Sequence, residues 1–216
     1  MTARRSNLPS PMELFNVGFL TTLKQLIVTH HSIYPLIPPQ GIFFEYLVEQ
    51  SFRRSGWPAD QVSLTSPNSP THDLKVGSLR LSLKSETGKI TRKDSISITK
   101  LCTTETGTWD SPSLIAHALK HLDCYDHILM LRAVWGQTTI SYQLIEVPLD
   151  VLRLIAGITV VPVGSRTGRK SLGADVLEGD KRVFHIHFDG ADGKCQIRGL
   201  TVTRCKLLLE WDQPLR

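Results

Sequence analysis

The segment Thr71-His72-Asp73-Leu74-Lys75-Val76-Gly77-Ser78-Leu79-Arg80-Leu81-Ser82-Leu83-Lys84 sets one carboxylate a short turn away from a strand that ends in an ammonium group. From Ser78 to Lys84 the residues alternate, with Leu79, Leu81 and Leu83 on one face and Ser78, Arg80, Ser82 and Lys84 on the other. This is the period of a half-buried strand whose second face is polar and basic. The Val76-Gly77-Ser78 turn folds Asp73 back toward the far end of that strand, so that a carboxylate able to hold a divalent cation and an ammonium able to balance developing charge meet at one phosphate-sized point. Metal-assisted cleavage of a phosphodiester needs that pairing. An exposed aspartate and lysine in an ordinary hairpin would show the same spacing.

Around this pair the periodicity predicts alternating helices and strands. Ser10-Pro11-Met12-Glu13 has the form of a capping box with proline at the first helical position, opening a helix to about His30. Pro35, Pro38 and Pro39 interrupt the chain, and a second helix runs from about Gly41 to Ser55 and stops at Gly56. A Ser/Pro-rich loop, 63–70, leads to the strands around Asp73 and Lys84, and a further strand covers 94–101. Asp110-Ser111-Pro112 opens a helix with Leu114, Ile115, Ala118, Leu119 and Leu122 as its buried stripe. The run His127 to Trp135 is apolar almost throughout, as in a central strand covered on both faces, and Ile140 to Val147 is another strand. A short helix spans 148–156. Shorter strands are expected near 158–163, 182–188, 195–197 and 201–211. The expected class is α/β, with helices flanking a mixed central β-sheet centred on Asp73 to Leu131, in one domain over 1–216 whose first forty residues form an N-terminal helical region.

At 216 residues and 24.2 kDa the chain is long enough for one well-buried core. With 41% hydrophobic and 21% charged residues it reads as an ordinary globular protein, and no apolar run approaches the roughly 18 residues of a membrane span. No secretory signal is read at Met1 to Asn7, so a cytoplasmic location is expected. Cys102, Cys124, Cys195 and Cys205 are far apart, which suggests reduced thiols rather than a zinc site or a disulfide framework. The formal charge of +5 is a weak pointer to nucleic acid by itself. Much of the excess, however, lies around the candidate pair, in Lys75, Arg80, Lys84, Lys89, Arg92, Lys93 and Lys100.

Asp73, Ser82 and Lys84 resemble the signature of the PD-(D/E)XK nuclease superfamily, in which an aspartate precedes an acid-x-lysine strand by about this interval. The resemblance implies that Asp73 holds Mg²⁺, with the Leu83 carbonyl as a further ligand, and that Lys84 stabilises charge beside the scissile phosphate. Ser82 departs from the pattern, because a second carboxylate is usual there, and its presence favours one principal ion. Glu45, on the preceding helix, takes the place from which a glutamate of this fold reaches the metal through water. Glu86 falls past the strand end and is placed at most behind the ligands.

Val160-Val161-Pro162-Val163-Gly164-Ser165-Arg166-Thr167-Gly168-Arg169-Lys170-Ser171 nearly spells a phosphate-binding loop, but Arg169 stands where glycine must precede the lysine and Leu172-Gly173 does not continue a helix. No nucleotide cofactor is expected. The same loop, through Arg166, Arg169 and Lys170, suits contact with DNA, as do Arg92, Lys93 and Lys100. His185 and His187 share a strand face without a third ligand at convincing spacing.

The chain is also similar to the SmaI-type restriction endonucleases. The likeness is carried by Phe44-Glu45, His72-Asp73, Leu83-Lys84 with Glu86, Ile96 to Lys100, Tyr125 with Ile128 to Arg132, and Tyr142-Gln143-Leu144 with Glu146 and Pro148. It continues through Gly164-Ser165, Val176-Leu177-Glu178, Phe188-Asp189-Gly190 and Trp211-Asp212, while the first forty residues match poorly. That family also lacks the middle carboxylate. The resemblance implies a Mg²⁺-dependent type II enzyme, a homodimer, cutting both strands of double-stranded DNA at a short G/C palindrome and leaving 5′-phosphate and 3′-hydroxyl ends. CCCGGG with a blunt central cut is the first target to test. The alternative is a non-catalytic or repair-type DNA-binding protein on the same fold.

Overall fold

A computed structural model describes residues 14–66, 71–104, 108–165 and 167–215. The first helix, α1 (Val17–Ile33), starts at Asn16, whose side-chain oxygen accepts the Phe19 N–H at 2.9 Å. The capping box proposed at Ser10 to Glu13 lies outside the described residues. Phe19, Leu23, Ile27 and His31 recur every fourth residue and form the buried stripe of α1. Helix α2 (Ile42–Arg54) follows Gly41 and buries Phe44, Val48 and Phe52. The Phe19 and Phe52 rings stack at 4.2 Å between the two helices. Truncating Phe52 to alanine should cost about 3–5 kcal/mol, the usual loss for a fully buried phenylalanine.

Eleven strands are described: β1 (Val62–Leu64), β2 (Leu74–Val76), β3 (Leu79–Glu86), β4 (Ser95–Thr103), β5 (His127–Trp135), β6 (Thr139–Val147), β7 (Val161–Val163), β8 (Ser171–Glu178), β9 (Lys181–Asp189), β10 (Lys194–Thr201) and β11 (Lys206–Pro214). They form two sheets: the mixed central sheet flanked by helices that the sequence predicts, and a second sheet that it does not. The larger has the order β1-β2-β3-β5-β6-β11 and is mixed, because β3 and β5 run parallel while its other neighbours are antiparallel. The smaller, β4-β10-β9-β8-β7, is antiparallel throughout. Helix α3 (Ser111–Leu122) begins at Asp110, which accepts the Ser113 N–H at 2.9 Å, and α4 (Leu149–Leu152) is a single turn.

Parallel neighbours need a long crossover, and here β4 and α3 supply it between β3 and β5. The consequence is that the six-stranded sheet is covered on both faces. Leu79, Leu81, Leu83, Leu129, Leu131 and Leu144 pack with α1 and α2 on one side. Ile128, Met130, Ile145 and Val147 pack with α3 and the inner face of the smaller sheet on the other. The serine–lysine face of β3 therefore looks into a covered space, and Ser82 is buried rather than solvated.

Strand β8 was unread in the sequence because Gly173 interrupts its alternation. A Cβ at Gly173 would lie 2.7 Å from His185 Nε2, so that imidazole occupies the space a side chain would need. Cys102 and Cys195 face each other across β4 and β10 as buried free thiols. Among the described residues no helix is long and apolar enough to cross a membrane.

Candidate active site

The β2–β3 hairpin turns at Gly77, whose φ of +58° lies in the left-handed region that glycine enters without strain. Its register pairs Leu74 with Leu81, which puts Asp73 opposite Ser82. Asp73 is fixed through its backbone: its N–H donates to the Leu81 carbonyl at 2.9 Å, and its own carbonyl accepts the Thr65 N–H at 3.0 Å. The carboxylate then reaches across. Asp73 Oδ2 accepts the Leu83 N–H at 2.6 Å and the Ser82 hydroxyl at 3.2 Å, and Lys84 Nζ lies 3.4 Å away. The convergence of positions 73 and 84, inferred from a turn and an alternation, is present in the fold.

The Leu83 N–H points to Asp73 and so away from β5. In a strand the carbonyl of a residue shares the direction of its N–H. β2 pairs only with Leu79 to Leu81, so no described strand meets the Leu83 carbonyl, and it faces the same edge as the Asp73 carboxylate. Glu45 approaches from α2. Burial raises its pKa above the ordinary carboxylate range and the Asp73 charge raises it further, while Lys84 acts in the opposite sense. Among the described residues no three His, Cys, Asp or Glu side chains cluster as a metal site. The protein donors here are two carboxylates and one backbone carbonyl, all oxygen. That set suits Mg²⁺, which keeps several waters and takes one or two carboxylates.

A cavity of about 170 Å³ opens beside Lys84 and is lined by Gly41, Phe44, Leu83, Ser85, Ile98, Thr99 and Lys100. Behind the strand, α3 presents His121. Burial and the neighbouring Lys84 charge push its pKa down to about 4, so it stands neutral near the lysine. The His121 ring meets Tyr125 edge-on at 5.2 Å, and burial pushes the Tyr125 phenol well up.

The remaining candidates divide. Lys100 lines the cavity beside Lys84. Arg92 lines a larger groove of about 710 Å³ between the 85–92 segment and the outer face of the smaller sheet. Lys93 does not join it: it lines a separate cavity with Trp135, Gln143 and Glu210. Arg169 is engaged structurally, its guanidinium 4.2 Å above the Trp109 ring and its Nε donating to the Gly190 carbonyl at 2.8 Å. The Lys170 carbonyl accepts the Trp109 indole N–H at 2.8 Å. Gly190 follows β9 next to the Lys194 end of β10, and Arg169 and Lys170 line neither the Lys84 cavity nor the groove. Arg166 lies outside the described residues. The glycine-rich loop runs into β8 rather than a helix.

Glu86 is held away from the carboxylate pair. Its Oε2 accepts Arg132 Nε at 2.9 Å and its Oε1 accepts the Ser97 N–H at 2.9 Å. Arg132 is fully buried and also donates to Gln143 Oε1 at 2.6 Å, to the Ser95 carbonyl at 2.7 Å and to the Arg92 carbonyl. This clamp fixes the segment between β3 and β4 that walls the groove. It was missed in the sequence, although an arginine inside an apolar β-run announces a buried partner.

Compared with known proteins, the chain matches the model of the SmaI family, described as type II site-specific deoxyribonuclease, over residues 10–213. It is 27% identical over 204 residues to the type II restriction enzyme SmaI of Serratia marcescens, a match that covers 93% of this chain and 81% of that protein. No solved structure matches. The family match begins at residue 10, so it takes in residues 10–40, where sequence reading alone found little.

Proposed function

The chain belongs to the SmaI family of type II site-specific deoxyribonucleases, and from that premise we propose that it hydrolyses both strands of double-stranded DNA at a short G/C palindrome in a Mg²⁺-dependent reaction. CCCGGG with a blunt central cut is the leading target, and the products carry 5′-phosphate and 3′-hydroxyl ends. The observation that supports this most directly is the meeting of Asp73 Oδ2 with the Leu83 N–H, the Ser82 hydroxyl and Lys84 Nζ, all within 3.4 Å.

In this reading the hydrogen bonds from Leu83 and Ser82 to Oδ2 hold the Asp73 carboxylate in one orientation, with Oδ1 left to the cleft. Asp73, the Leu83 carbonyl and, through water, Glu45 would hold Mg²⁺. When bound, the ion polarises the scissile phosphate and acidifies the attacking water. Lys84 stays beside the phosphate and offsets the charge that grows on its oxygens as water attacks and the 3′-oxygen leaves. Ser82 orients Asp73 and carries no charge of its own. Arg92 and Lys100 flank the path of the backbone as phosphate contacts.

We also propose that the whole chain acts as one nuclease domain, in the cytoplasm, as a homodimer. A palindrome cut on both strands is met most simply by two copies about a two-fold axis. A dimer is further supported by large apolar side chains left open to solvent: Ile33 at the end of α1, Tyr34, Leu36 and Ile37 after it, and Phe43 and Tyr46 on the helix that carries Glu45. Monomers rarely leave such a group uncovered.

Incubating the purified protein with a sequenced plasmid and Mg²⁺ should give discrete fragments whose ends map to one palindrome. The fragments should vanish with EDTA and in Asp73→Ala. A smear, or cleavage that persists in Asp73→Ala, would remove this assignment.

A further inference from the structure

The groove next to the Lys84 cavity lies against the outer face of the smaller sheet. Ser85, Ile98 and Thr99 line both the cavity at the lysine and the 710 Å³ groove, which makes the two spaces neighbours. On that sheet the inward residues are apolar, among them Ile98, Ile197 and Ile186, and belong to the core. The residues that alternate with them and line the groove are of another kind: Ser97 and Thr99 on β4, Gln196 and Arg198 on β10, and His185 on β9. Each carries a hydrogen-bonding group, where an ordinary solvated sheet face would carry mixed lysines and glutamates.

Within this face Arg198 is held in a defined pose. Its Nε and Nη2 both donate to Gln196 Oε1, at 3.0 and 2.7 Å. The partner is a neutral amide, so the guanidinium keeps its charge. That leaves Nη1 and the second Nη2 proton as the pair of parallel donors that matches guanine O6 and N7. Of the other arginines of the region, Arg132 is paired with Glu86 and Arg182, at the rim, lies 3.7 Å from Asp175, while Arg92 lines the opposite wall of the groove.

We propose that the outer face of the β4-β10-β9 sheet reads the bases of the DNA duplex, with Arg198 as a guanine reader oriented by Gln196. This rests on the nuclease reading and names the specificity residues for it. The long side chains of this face, Arg198 foremost, are what would reach the base edges in a major groove about 12 Å wide. The groove supplies the depth, and its place next to the Lys84 cavity sets the read bases a short distance along the duplex from the cut.

The test is selection from a random-sequence duplex pool by full-length protein carrying Lys84→Ala, so that bound DNA survives whether or not the native chain cleaves. Arg198→Ala, Arg198→Lys and Gln196→Leu are compared in that background, each first shown by circular dichroism to melt as the parent does. The parent should yield a consensus containing guanine. Arg198→Ala should lose guanine preference at one position of each half-site, weakening binding to the parent consensus at least about tenfold relative to a scrambled duplex. Lysine should fail to restore it, because one ammonium cannot reproduce the bidentate fork. Gln196→Leu should relax preference at the same position. An unchanged consensus in Arg198→Ala overturns the proposal, as does equal loss on consensus and scrambled DNA, or full rescue by lysine, both of which mark a phosphate contact. Cleavage by the native chain is assayed separately, so a failure of nuclease activity is distinguishable from a failure of base reading.

Discussion

Arg132→Met should be among the most damaging single changes in the molecule away from the proposed ligands. The guanidinium has no solvent exposure and its partner Glu86 has 14%. Four acceptors depend on it: Glu86 Oε2, Gln143 Oε1, and the carbonyls of Ser95 and Arg92. After the substitution Glu86 keeps only the Ser97 N–H, and three oxygens lose their donor. Breaking a buried ion pair from one side costs about 3–5 kcal/mol, because an unpaired charge remains inside. With a urea dependence of about 3 kcal/mol/M for a chain of this size, the unfolding midpoint should fall by roughly 1–2 M. The double variant Glu86→Leu/Arg132→Met removes both charges and should regain much of that loss, since an apolar pair of similar volume often replaces a buried ion pair without penalty. Urea melts followed by tryptophan fluorescence measure both. A midpoint within about 0.3 M of the parent in the single variant, or a double variant less stable than the single, would refute the reasoning.

Lys84→Ala should abolish cleavage while specific DNA binding and the urea midpoint stay near the parent; loss of fold would make Lys84 a structural residue. Glu45→Gln should slow cleavage and raise the Mg²⁺ concentration needed for half-maximal rate, and an unchanged metal dependence takes Glu45 out of the site. The pKa of His121 is lowered from 6.5 to about 4, so the folded state binds fewer protons than the unfolded chain between those values. Stability should therefore fall as pH drops from about 6.5 toward 4. His121→Gln should flatten that slope in melts across the window, and an identical slope would show that other groups set it. Phe43→Asp with Ile37→Asp should shift the native species toward monomer in sedimentation; a mass unchanged from the parent would place the interface elsewhere.

What the sequence made legible was local. Alternation at Ser78 to Lys84, the Gly77 turn, the Asp110 cap and the apolar β5 run each depend on neighbouring residues, and each appears in the fold as expected. Asp73 and Lys84 could be brought together on paper because a two-strand hairpin fixes its own register. The division into two sheets was hidden, because strand partners distant in sequence leave no periodic trace. β4 reads as a neighbour of β3 but pairs with β10, a partner that comes nearly a hundred residues later. For the same reason a sequence does not separate the basic residues by surroundings. Arg169 and Arg92 look alike in a charge count, yet one is stacked on Trp109 while the other lines the groove. Arg198 drew no notice because its neighbours Ile197 and Gly199 make it look like any exposed strand residue.

Ser82 bears on how such a site keeps its charge balance. A carboxylate at that position would sit about where the hydroxyl now lies, 3.2 Å from Asp73 Oδ2, in a place with almost no solvent. Two like charges about 4 Å apart repel by roughly 4 kcal/mol at an effective dielectric constant near 20, and Lys84 alone would face both. With serine there, Oδ2 of Asp73 receives two neutral donors and the lysine, and the negative charge on the strand stays at one. Glu45 brings the second carboxylate from α2, where burial first and then the Asp73 charge raise its proton affinity. On the proposed assignment the ion still sees two carboxylates, one from the hairpin and one from the helix. The helix then has two tasks: Glu45 turns inward to the cleft while Phe43 and Tyr46 of the same two turns remain exposed. Covering those side chains with a second copy would fix the helix that carries the second carboxylate. Metal affinity and subunit association should then be coupled through α2, so a variant that weakens the dimer raises the Mg²⁺ requirement without touching any ligand.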